Sequence, residues 1–96
     1  MDYQEFKKSL AEEFPPEDWS AVLKSLWYDA NGKWEASHDI VDGMNNAIAK
    51  WVHAYLHRKE GDDWNARYWY RQAGKSFPKR SLEEEHRELV EFILNQ

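Results

Sequence analysis

The chain has 96 residues, 13 Lys and Arg against 18 Asp and Glu, a net charge of -5 and no Cys. That length holds one domain, residues 1–96, with a single core. The acidic balance argues against general nucleic-acid binding and against attraction to anionic membrane, and the absence of Cys excludes a disulfide framework, a thiolate zinc site and a cysteine nucleophile.

The N-terminal stretch is charged and amphipathic, and no apolar run approaches the roughly 18 residues of a membrane helix. A cytoplasmic location is the expectation. Tyr3, Phe6, Leu10 and Phe14 share one helical face, and Pro15-Pro16 ends that first helix. Pro16 opens a second helix with Glu17 and Asp18 in its first turn, and Trp19, Val22, Leu23, Leu26 and Trp27 form its apolar stripe. Asn31-Gly32 ends it, because Gly takes the left-handed conformation that helix C-termini favour. Trp34, His38 and Val41 mark a shorter third helix closed by Gly43. Asn45 or Asn46 caps a fourth, with Ile48, Trp51, Val52, Tyr55 and Leu56 inward and Gly61 at its end. Asp62 or Asp63 caps a fifth, where Ala66, Trp69, Tyr70 and Ala73 share a face before Gly74 and Pro78. Ser81 and Glu84 form a capping box for the sixth, whose inward side carries Leu82, Leu89, Val90, Ile93 and Leu94.

The expected fold is therefore all-α, about six short helices in antiparallel hairpins. Connections of about two to six residues force successive helices side by side, as stacked pairs or a small bundle. Residues 49–78 run from a first helix containing Ala54 through the Gly61-Asp62 turn to Ala66, Tyr70 and Ala73 on one face and then Pro78. That order resembles a tetratricopeptide or Sel1-like helix pair, and the segments WVHAYLHRKEGD and NARYWYRQAG also resemble a family of small bacterial helical proteins that lends no activity. A weaker echo precedes it around Gly32, 29 positions before Gly61. The tetratricopeptide resemblance implies a groove offered to a protein or peptide partner, and so a protein-interaction module. Self-association into a homo-oligomer is an open variant of that reading.

Two groups of residues are candidates for function. On the fifth helix, Trp64 and Tyr68 fall off the Ala66, Trp69, Tyr70, Ala73 face, and Arg67, Arg71 and Lys75 follow one another at i, i+4, i+8, extended by Lys79 and Arg80. These residues would bind a partner, the cations taking an anionic group, unless they are paired internally with Glu83, Glu84, Glu85, Glu88 and Glu91 of the last helix. The other group is His53 and His57, one turn apart, with His38 on the preceding helix. Together they would hold a divalent transition metal, as a small metal-binding or hydrolytic domain, with Asp39 and Asp42 as further donors. Packing among aromatics with one ring nitrogen hydrogen-bonded is the competing reading for these histidines, and the favoured one for His86. Ala54 follows His53, so the H-E-x-x-H metalloprotease arrangement is missing. No nucleotide loop or nucleophile elbow occurs, so catalysis is not the favoured expectation, and no cofactor is expected under the interaction reading.

Overall fold

The computed structural model describes all of residues 1–96 as six helices without strands: α1 (Tyr3–Ser9), α2 (Ala21–Ala30), α3 (Trp34–Asp42), α4 (Ala47–Lys59), α5 (Asp63–Ala73) and α6 (Leu82–Leu94). Local chemistry fixes most ends. Asn46 and Asp62 accept from the backbone N–H groups of Ala49 and Asn65, and Ser81 with Glu84 makes the reciprocal capping box. Gly61 and Gly74 take φ of 87° and 73°, and no residue other than Gly has positive φ.

Two expected boundaries move. α1 stops at Ser9, so Phe14 leaves the helical face and stands 67% exposed. α2 begins at Ala21, with Ser20 as its cap and residues Pro16–Trp19 forming a turn closed by the Trp19 N–H on the Pro16 carbonyl. Trp19 still faces inward, stacking on Phe6 at 5.7 Å from outside any helix. Its apolar side chain continued a helical period that the backbone does not follow.

Chain neighbours pair as hairpins, α2 with α3 and α4 with α5, and α3 packs on α4 to join the two pairs. Within the first pair, the Ser25 hydroxyl bonds the Ser37 carbonyl at 2.9 Å, so two small residues let the helices approach. In the second pair, α4 and α5 each carry a fully buried small residue, Ala54 and Ala66. Helix α4 is the centre: Ala49 and every residue from Trp51 to Leu56 are buried, His53 among them. One contiguous core of 15 buried apolar residues runs from Phe6 of α1 to Val90 of α6. The radius of gyration, 12.4 Å, is that of a folded chain of this length, about 12.5 Å. No helix is long and apolar enough to cross a membrane.

Buried ions tie the last helix down. Glu85, with no exposure, receives the Trp51 indole N–H at 3.0 Å, the Tyr70 hydroxyl at 2.6 Å and the Arg58 guanidinium at 2.9 Å. Asp29 of α2 accepts from the Tyr55 hydroxyl at 2.8 Å and the Lys59 ammonium at 2.9 Å, both on α4. Burial, then the neighbouring carboxylate, pushes both tyrosine hydroxyls far above their usual range, so they remain donors at any ordinary pH. His86 is the satisfied core histidine expected, its Nε2–H donating to the Leu26 carbonyl at 3.1 Å.

Candidate functional site

The outer side of α5 is built by helical geometry. Ala66 and Tyr70 are buried, with Trp69 and Ala73 half-buried beside them, and these four turn toward the core; the opposite side displays Trp64, Arg67, Tyr68 and Arg71, with Lys75 just past the last turn. All five are exposed, Trp64 by 80% and Tyr68 by 43%. The aromatic surface therefore lies on the outside of a helix rather than in a groove between helices.

The cations on this face have no acidic partner. Internal pairing with the last helix does not occur, because the α6 carboxylates in ion pairs take other partners: Glu85 takes Arg58, Glu88 takes Arg80, and Glu91 takes Arg87 one turn away. Arg80 thus leaves the basic group, while Arg67, Arg71 and Lys75 meet no carboxylate. Two of them lie over aromatic rings instead, Arg67 over Phe77 at 4.3 Å and Lys75 over Trp51 at 4.2 Å. The three line an open cleft of about 260 Å³ with Tyr70, Ser76 and Phe77. Ser76 and Phe77 donate no backbone hydrogen bond within the protein.

The second candidate group also converges. His38 of α3 and His53 of α4 place their Nε2 atoms 3.0 Å apart, within one hydrogen bond. The His57 ring centroid lies 5.2 Å from that of His38 and 4.9 Å from that of His53. One ring nitrogen from each of the three falls within 4.8 Å of the other two. Tryptophans wall the cluster: Trp34 stacks on His38 at 4.9 Å and Trp69 on His53 at 4.0 Å. Trp34 also donates its indole N–H to the Leu56 carbonyl at 2.7 Å, which pins α3 against α4.

Burial, then the nearby His38 and His57, drives the His53 imidazole down to about 4, so it is neutral near pH 7. Of the further donors, Asp42 comes within 3.9 Å of His53 Nε2, while Asp39 takes no part in the cluster's hydrogen bonds or ion pairs. Glu60, not foreseen as a participant, binds His57 Nδ1 at 2.7 Å. Its signal was the spacing, since Glu three residues after His at a helix end falls one turn away. Glu85 and Asp29 were equally hidden although each sits at the helical period of its apolar stripe, Glu85 between Leu82 and Leu89, and Asp29 after Val22 and Leu26.

Comparison with family models, curated proteins and solved structures finds no match to this chain.

Proposed function

We propose that this domain is a small protein-interaction module which holds an acidic peptide segment of a partner on the outer face of α5. One observation carries the reading: Arg67 and Arg71, unpaired with any carboxylate in a chain of net charge -5, share a face with exposed Trp64 and Tyr68, and unpaired Lys75 joins the two arginines in the adjoining cleft. Three unpaired cations gathered around one open cleft, beside exposed aromatic rings, offer a site to an outside anion. Trp, Tyr and Arg are also the residue types that dominate binding hot spots. The cleft beside Ser76 has room for a carboxylate side chain, and the face spans about 10 Å from Trp64 to Arg71, two turns of a bound helix or three residues of a strand. The tetratricopeptide-like pair at residues 49–78 belongs to this reading as a scaffold, with the contact surface on its outer helix.

Selection from a random displayed-peptide library tests it. Peptides rich in Asp and Glu around an apolar anchor are expected, binding more weakly as salt rises and lost in the Arg67→Glu/Arg71→Glu double variant. Equal enrichment on wild type and double variant, with unchanged helix content in both, would refute the assignment.

A further inference from the structure

We infer that His38, His53 and His57 form a binding site for one divalent transition-metal ion, which clamps the α2–α3 hairpin to the α4–α5 hairpin. This inference is independent of the peptide-binding face on α5.

The donors fit the ion. Tetrahedral zinc with nitrogen ligands about 2.0–2.1 Å away sets its donors about 3.3 Å apart. The three ring nitrogens lie within 4.8 Å of one another, with His38 and His53 already at 3.0 Å. Small ring rotations therefore bring all three to a common centre. The short His38–His53 contact is a single hydrogen bond, in which one Nε2 carries a proton and the other accepts it. An ion between them requires the donor ring to change tautomer, its proton moving through solvent from Nε2 to Nδ1, after which both Nε2 lone pairs face the metal.

The surroundings are those of a supported ligand set. Glu60 on His57 Nδ1 holds the proton there and leaves Nε2 as the lone-pair atom, the carboxylate–histidine pairing that orients metal ligands. Trp34 and Trp69 fix the planes of His38 and His53 by stacking. Asp42, 3.9 Å from His53 Nε2 and largely exposed, stands at the rim as a fourth donor. Two nearby carboxylates, Glu60 and Asp42, balance the charge of a divalent ion.

The donor type selects the ion. Imidazole suits zinc, nickel, cobalt and copper, whereas magnesium and calcium require oxygen. None of the five surface clefts is lined by any of the three histidines. With Asp42 completing four ligands the coordination shell is closed, which makes the ion's role cross-linking. Two donors, His38 and Asp42, come from α3 and two, His53 and His57, from α4, so a bound ion joins the hairpins at the contact that Trp34 already pins.

Tag-free protein, stripped with chelator at pH 7.5 and titrated with zinc chloride or cobalt chloride alone, provides the test. One equivalent of zinc is expected to raise the thermal midpoint, because binding favours the folded state alone. Cobalt is expected to give visible absorption of a low-coordinate site and to quench tryptophan fluorescence through the stacked indoles, and magnesium to do nothing. His38→Ala and His57→Ala, which remove half-buried rings and keep the buried His53, should abolish the cobalt band while circular dichroism still reports six helices' worth of signal. Glu60→Gln should weaken zinc binding about tenfold. A thermal midpoint indifferent to zinc, or a cobalt band that survives both His38→Ala and His57→Ala, would overturn the site.

Discussion

Glu85 shows how one side chain can hold a small core together. Its carboxylate is fully buried, yet it accepts from an indole, a phenol and a guanidinium on two other helices, and no buried side-chain polar atom in the protein lacks a partner. Satisfied in this way, a buried ion pair contributes modestly, but removing one half leaves the other half's charge uncompensated. Glu85→Ala strands Arg58, whose side chain is only 15% exposed, and is expected to cost about 3–5 kcal/mol in a urea melt. Replacing Glu83, two residues earlier, on the exposed side, should change stability by no more than about 0.5 kcal/mol. The run Glu83-Glu84-Glu85 hides this difference, since three adjacent acids read as a solvated face. Only the helical period separates the third from the first, and only the approach of α4 supplies its partners.

Helix ends show where local chemistry suffices. Ser81 closes its capping box on Glu84 within four residues, and substitution of Ser81 by Ala should cost about 1 kcal/mol, read as a lowered urea midpoint with an unchanged slope. Caps and turn glycines of this kind made α3 to α6 readable from the residues alone, because they act over one turn and need no tertiary partner. The junction of α1 and α2 resisted for the opposite reason. Phe14 and Trp19 extend the apolar periods of their neighbours through Pro15 and Pro16, but Phe14 points to solvent and Trp19 packs on Phe6 from a turn. The histidines divide similarly. The one-turn spacing of His53 and His57 put them on one face, whereas the 3.0 Å contact with His38 depends on how α3 lies across α4, which the indole bond from Trp34 to the Leu56 carbonyl decides. The basic residues of α5 were readable as a stripe, and their lack of acidic partners was not, since α6 engages Arg58, Arg80 and Arg87.

The folded molecule keeps two of its histidines neutral at a cost that depends on pH. His53 is lowered to about 4 by burial and the adjacent imidazoles, and His86 is lowered by burial, against the opposing pull of the Leu26 carbonyl and Asp29. In the unfolded chain both titrate near 6.5. Between pH 6.5 and 4 the unfolded state therefore binds more protons, and stability falls as the pH falls through that window. Urea midpoints measured from pH 7.5 to 4 should decline, and His53→Gln should flatten part of the slope; a constant midpoint would contradict the neutral, buried assignment. The sequence separation of the Glu85 contacts also bears on how the protein is made. Arg58 and Trp51 belong to α4, but their carboxylate lies 27 and 34 positions further along. During synthesis, α2 to α5 leave the ribosome carrying a cation, an indole N–H and a phenol that have no acceptor until α6 follows. A released fragment of residues 1–80 should consequently be sensitive to protease across α4 and α5, and the full chain, with residues 82–94 docked, should resist.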